Sequence, residues 1–412
     1  FSHLPGRTAR GENGDTACDH YHRWKEDLDL LKKLGVGAYR FSVSWSRVIP
    51  EGRGPVNPAG LDFYDRLVDG LLVRGIQPFP TLYHFDLPLA LHKKGGWPSR
   101  DTAAAFGEYA AVVAARLGDR VASWITLNEP MIAALFGYMI GTHAPGRRHP
   151  RDFARAAHNL LLAHGEAVRA IRSASPRPAQ VGIALNLSPA YPGTNREADR
   201  RAAAGFDVLS NRICLDPIFR GAYPPDLWRR FGPFAPKIRE GDLAKIAEPI
   251  DFLGVNYYTR HVISARWWMP ITGGWMVRPK GVEYSPMWEI YPSGIGELVE
   301  RVWNEYHPPK ILVTENGIPV PDAPDESGAV RDPERISYLG RHLRVLRESM
   351  AKQIPVHGYF VWSLTDNFEW ELGYAMRFGL IHIDFATLKR TPKSSFDWYA
   401  DVIRRNGLGE SE

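Results

Sequence analysis

Ile311-Leu312-Val313-Thr314-Glu315-Asn316-Gly317 runs three apolar residues into a threonine and a carboxylate, and then turns at once. A short apolar run rich in β-branched residues is the pattern of a strand buried on both faces. The Asn-Gly pair supplies the turn that ends it. Glu315 is therefore expected at the carboxyl end of a core strand. One other stretch ends in the same manner, Trp124-Ile125-Thr126-Leu127-Asn128-Glu129-Pro130. Two structural glutamates, each tied to an arginine, are the plainer explanation. Acidic groups are, however, rarely placed at the ends of buried strands without a task.

Outward from these strands, helical and strand patterns alternate. Downstream of Glu315, Asp332-Pro333 caps a helix reaching about residue 352, residues 356–363 read as a strand, and 394–405 as a closing helix. Upstream, helices are predicted over 27–34, 57–75, 102–117, 152–171, 197–213 and 296–306. Strands are predicted over 39–45, 76–85, 121–128, 181–187 and 250–258. Pro78 and Pro80 speak against the second of these strands, but Gly75 and Asp86 bound it well. A Pro- and Gly-bearing loop follows residue 213, and residues 259–292 read as an irregular insert rich in Trp, Pro and Gly.

Eight helical segments thus alternate with seven strands, and no Gly-, Ser- or Pro-rich linker divides them. Such alternation predicts a parallel sheet with helices outside. We expect α/β architecture, a (β/α)8 TIM barrel in one catalytic domain over 1–412, whose chemistry sits at the carboxyl ends of the strands. The rival, an open doubly wound sheet, usually carries a Gly-rich phosphate loop after a strand, and none is present. The chain opens on a helix, so the first strand of such a ring is missing from the sequence.

Composition narrows the function. The chain has 412 residues, 44% hydrophobic and 24% charged, with a formal net charge of +5. Basic residues occur in short pairs such as Arg200-Arg201 and Arg404-Arg405, which argues for a solvated surface and against nucleic-acid binding. Two distant cysteines, Cys18 and Cys214, offer neither a disulfide framework nor a zinc motif, and favour a reducing compartment. No apolar run approaches the roughly 20 residues of a membrane helix. A cytoplasmic location is expected, as a monomer or small homo-oligomer acting on small molecules. His20 and His22 have no third ligand at metal spacing, so no metal is expected.

Two glutamates facing one cavity can divide labour. One keeps its proton and gives it to a leaving oxygen, while the other stays ionised and attacks. Arg40, flanked by apolar residues on another strand, is placed to hold Glu315 ionised, and Tyr258 to donate a hydrogen bond to it. Pro130 is expected to hold the Glu129 backbone extended. Phe85, Trp362, Trp370 and the Trp267-Trp268 pair fall near the same strand ends. Aromatic rings of this kind pack on the apolar faces of sugars, although core packing and loop anchoring are the alternatives.

These residues resemble glycoside hydrolase family 1, the β-glucosidase family, over essentially the whole chain. Thr126-Leu127-Asn128-Glu129-Pro130 is similar to the family's acid/base motif and Thr314-Glu315-Asn316-Gly317 to its nucleophile motif. The resemblance implies a (β/α)8 barrel that hydrolyses β-glycosides with retention, Glu315 attacking the anomeric carbon and Glu129 serving as acid and then base. It further implies sugar contacts from His84, Asn128, Asn256, Tyr258, Trp362, Glu369 and Trp370. Phe85 stands where the family usually carries tryptophan, and nothing like the family's Gln-x-Glu-Gly motif precedes Cys18.

The chemistry so implied needs no cofactor. Two alternatives accompany it. One is a catalytically weak carbohydrate-binding barrel derived from such an enzyme. The other follows from the unfilled strand position, which would leave apolar core open to a flat hydrophobic, haem-like guest.

Overall fold

The computed structural model describes residues 1–269 and 271–409. Its main sheet has seven parallel strands, β1 (Ala38–Ser42), β2 (Gln77–Tyr83), β3 (Ser123–Asn128), β4 (Gln180–Asn186), β6 (Phe252–Asn256), β9 (Ile311–Asn316) and β10 (Val356–Val361), neighbouring one another in that order. A smaller sheet joins β5 (Ala190–Pro192), β7 (His261–Ala265) and β8 (Gly274–Val277), and β11 (Ile381–Ile383) pairs with β12 (Arg390–Pro392). Sequential order with every neighbour parallel is the TIM-barrel winding, each crossover being made by an outer helix.

The continuous apolar runs end up where two-sided burial demands. Every residue of β3, β6 and β9 is buried. Outside them lie amphipathic helices such as Arg100–Leu117 and Pro150–Ala174, whose inward residues close the core. Trp45 stacks on Tyr109 with ring centroids 5.1 Å apart, and Trp97 and Phe106 pack beside them. Prolines open the helices Pro58–Val73, Pro150–Ala174 and Pro333–Ala351, where a missing N–H costs nothing.

The prolines of β2 are accommodated by register. Gln77 donates its N–H to the Gly37 carbonyl, so the odd-numbered N–H groups of β2 face β1. Pro78 and Pro80 therefore turn their nitrogens toward β3, and pairing with β3 begins only at Thr81. No ladder bond is lost.

Two expectations are corrected. The helix predicted over 197–213 is Glu197–Asp207, continued by a wider turn at Val208–Arg212 and a second helix, Ile213–Arg220, that contains Pro217. The insert 259–292 is not wholly irregular, because β7 and β8 form an antiparallel hairpin in it. β1 and β10 are the two ends of the sheet order, and between them lies a cavity of about 840 Å³ lined by residues 38–42 and 358–362. The ring is nearly closed.

Candidate active site

Both glutamates reach one cavity of about 600 Å³ at the carboxyl ends of the strands. Glu315, the penultimate residue of β9, is only 4% exposed, and each of its oxygens has a donor. Arg40 Nη1, from β1, donates to Oε1 at 2.6 Å, and the Tyr258 hydroxyl donates to Oε2 at 2.6 Å. Arg40 is itself fixed on three further sides, by Thr81 Oγ1 at 3.0 Å, the Thr314 carbonyl at 3.1 Å and Asn128 Oδ1 at 2.6 Å.

Glu129 follows β3 directly and has no such cation. Its Oε1 accepts from Asn256 Nδ2 at 2.8 Å and Asn186 Nδ2 at 3.1 Å, both neutral amides. Burial, reinforced by the negative charge of Glu315, pushes the Glu129 carboxyl up to about 7. Desolvation disfavours the charged form, and a neighbouring anion disfavours it further. One carboxylate thus sits against a guanidinium and a phenol, the other among amides in an apolar wall. That asymmetry separates a proton donor from a nucleophile.

The Glu129 backbone is not extended, as the following proline had suggested. It is left-handed, at φ 45° and ψ 61°. Its N–H continues the β3 ladder by donating to the Ala184 carbonyl at 2.8 Å, and the helix Pro130–Ala134 begins at the next residue. A strand that must become a helix within one residue overrides the local preference. Phe85 and Trp370 are also at positive φ, 76° and 46°, so three residues of the cavity wall hold unfavourable backbone conformations. Strain of this kind gathers at functional sites.

Around the carboxylates the expected sugar contacts divide into two groups. His84, Phe85, Tyr258, Trp362, Glu369 and Trp370 line the cavity. The His84 ring stacks on Trp362 at 5.7 Å, and Phe85 lies 5.5 Å from Trp370. Burial, and then Arg40, pull the imidazole of His84 down to about 3, so it is neutral at ordinary pH. The Glu369 carboxyl is driven up to about 8 by burial and then by the charges of Glu315, Glu371 and Glu129. Asn128 and Asn256 are fully buried behind the carboxylates instead of lining the wall. Asn128 links Arg40, Asn256 and His84, the last through Nδ2 to Nε2 at 3.2 Å. Asn256 Oδ1 accepts from the Thr314 hydroxyl at 2.6 Å. The chain of contacts Glu129–Asn256–Asn128–Arg40–Glu315 fixes the two carboxylates relative to each other.

The sequence model of glycosyl hydrolase family 1 matches residues 1–408. The chain belongs to glycosyl hydrolase family 1. This family 1 chain is 45% identical over 411 residues to beta-glucosidase A of Thermotoga maritima, covering 99% of itself and 91% of that protein. It is 47% identical to thermostable beta-glucosidase B of Thermobispora bispora, covering 100% of itself and 86% of the relative. A solved structure of the Thermotoga maritima family 1 β-glucosidase superposes with a TM-score of 0.96 at 44% identity, covering 99% of this chain and 92% of that one. The β-glucosidases of family 1 need no cofactor for catalysis.

Some expectations fall outside the family 1 site, and the site has members that sequence reasoning passed over. Trp267 and Trp268 are 91% and 57% exposed in the turn between β7 and β8, outside the cavity wall. His20 and His22 bond Asp27 and Asp19. Asp322, Asp366 and His382 converge closely enough to suggest a cation site, but Lys393 Nζ already lies 2.7 Å from Asp322 and 2.9 Å from Asp366. Asn186 was missed as a partner of Glu129, although its place at the end of buried β4 follows the logic that found the glutamates. The contact of His143 Nε2 with the Glu371 carboxyl, 2.7 Å at the cavity wall, had no local signal.

Proposed function

We propose that the chain is an exo-acting retaining β-glucosidase, its single domain over 1–412 hydrolysing terminal β-D-glucosyl groups of small glycosides. The observation that carries this reading is the opposed settings of Glu129 and Glu315 in one cavity. Glu315, held by Arg40 and Tyr258, attacks the anomeric carbon. Glu129 donates its proton to the departing glycosidic oxygen and then takes one from the water that releases the sugar. This double displacement requires carboxyl groups about 5–5.5 Å apart. Trp362 lies under the sugar ring, while His84, Glu369 and Trp370 meet the outer hydroxyls. Asn128 and Asn256 act from beneath, fixing the carboxylates. A binding barrel without turnover would have no use for this electrostatic asymmetry.

Retention is directly testable. NMR of 4-nitrophenyl β-D-glucoside hydrolysis is expected to show β-glucose first, with the α anomer growing in only by mutarotation. Early α-glucose would overturn the mechanism.

Among the described residues no helix is long and apolar enough to cross a membrane. A cytoplasmic monomer or small homo-oligomer, with no nucleic-acid partner, fits the interspersed charge. The cavity between β1 and β10 supports a second, accessory reading, a flat hydrophobic guest beside Tyr39 and Tyr359. Protein expressed with a tetrapyrrole precursor would then show a Soret band, and a featureless visible spectrum would remove the idea.

A further inference from the structure

We propose that Tyr338, on the outer helix Pro333–Ala351, is a positioning residue for the nucleophile: its hydroxyl holds the backbone of Tyr258, and so keeps the Tyr258 phenol aimed at Glu315. This rests on the glucosidase reading and extends it to a side chain outside the cavity wall. The need arises where β6 stops. Its last residue is Asn256, and Tyr257 keeps one bond to β9, its N–H donating to the Glu315 carbonyl at 2.9 Å. Tyr258 lies beyond the ladder, yet it must present its hydroxyl 2.6 Å from Glu315 Oε2. A chain that leaves its sheet inside a protein needs other partners for its peptide groups.

Side chains supply them. Asn316, next to the nucleophile on β9, donates from Nδ2 to the Tyr257 carbonyl at 2.7 Å. The Tyr338 hydroxyl donates to the Tyr258 carbonyl at 3.0 Å and accepts from the same Asn316 Nδ2 at 3.1 Å. From β10, the Tyr359 hydroxyl donates to Asn316 Oδ1 at 2.6 Å, which fixes the way the amide faces. Asn316 and Tyr338 are both fully buried, so water does not compete for these bonds. The contacts close into a ring: Glu315 is joined to Asn316, Asn316 binds Tyr338, Tyr338 binds Tyr258, and Tyr258 returns to Glu315.

Tyr338 is itself held still. The ring of His342, one helical turn along, lies 3.9 Å from the Tyr338 ring, and its Nδ1 donates to the Tyr338 carbonyl at 2.7 Å. Burial pulls that imidazole down to about 3 and pushes the Tyr338 phenol up, so the first stays neutral and the second stays a donor. Without the Tyr338 hydroxyl, the Tyr258 carbonyl loses its grip on the helix. The bond to Oε2 is then free to lengthen, and a small misplacement far from the chemistry is costly when reacting groups must stay aligned.

The test is steady-state hydrolysis of 4-nitrophenyl β-D-glucoside by Tyr338→Phe, Tyr258→Phe and the double variant. Tyr338→Phe is expected to lower kcat by about tenfold, the rate equivalent of one hydrogen bond. KM should change by no more than about twofold, because the side chain does not meet the sugar. In the Tyr258→Phe background the same change should cost no more than about twofold, since no phenol is left to aim. Leu343→Ala loosens the same helix where it packs around Leu339 and Phe396; it should lower Tm and leave kcat unchanged. Should Tyr338→Phe fail to fold, Tyr359→Phe decides, because it frees the Asn316 amide: its loss of kcat should likewise vanish in Tyr258→Phe. Wild-type kcat in Tyr338→Phe, an equal loss in Leu343→Ala, or losses fully additive with Tyr258→Phe overturn the positioning role and leave the glucosidase reading standing. Absence of turnover in the wild-type protein overturns both.

Discussion

Glu315→Ala is expected to lower turnover of 4-nitrophenyl β-D-glucoside by about a hundred-thousandfold, the scale seen when a covalent nucleophile is deleted, and added azide is expected to restore a substantial part. The structure explains why the loss should be chemical. Arg40 keeps its bonds to Asn128, Thr81 and the Thr314 carbonyl when the carboxylate is removed, so the guanidinium stays in place. Tyr258 loses its acceptor, and leaving such a donor unsatisfied costs about 1–3 kcal/mol. That is small against the chemical loss. Azide is a small anion suited to the space vacated beside Arg40. It attacks from the face that Glu315 used, so the product is the α-glucosyl azide. Circular dichroism separates misfolding from lost chemistry. Wild-type turnover in the variant, or a folded but inert variant that azide leaves unchanged, would remove Glu315 from the nucleophile's role.

The two carboxylates were legible because their positions follow from pattern alone. An uninterrupted apolar strand has no room for a charge except at its end, and only two strands close on a glutamate. Arg40 and Tyr258 were legible for a related reason, since polar groups flanked by apolar residues must find partners at the strand ends. Asn186 and Asn256 were harder. An amide at a strand end can meet a sugar or a carboxylate, and which it meets depends on a neighbouring strand that local sequence does not specify. Glu129 shows the limit more sharply. The steric rule for a residue before proline is local, whereas its left-handed backbone is imposed by a bond to Ala184 across the sheet. The hairpin of β7 and β8 stayed hidden for a third reason. Its strands are only five and four residues long, and the Trp, Gly and Pro between them blur the alternation.

Glu129→Ala is expected to divide substrates by leaving group. For an alkyl β-glucoside, whose departing alkoxide needs a proton, kcat/KM should fall by about 10²–10⁴-fold, the usual worth of a positioned general acid. For 2,4-dinitrophenyl β-D-glucoside the leaving group needs no proton, so glycosylation proceeds. Water then lacks its base, and the glycosyl-enzyme accumulates as a burst of dinitrophenol followed by a slow steady state. The pH profile carries the same signature. Burial and the Glu315 charge raise the Glu129 carboxyl to about 7 in the free enzyme. The proton needed for departure is therefore present below that pH and lost above it, so kcat/KM on the alkyl glucoside falls as pH rises through about 7. In Glu129→Gln this alkaline limb disappears, because the amide does not titrate, while the remaining rate stays low. An alkaline limb that survives unchanged in Glu129→Gln would assign the proton to another group. Glu369, raised to about 8 in the same cavity, is the one to replace next.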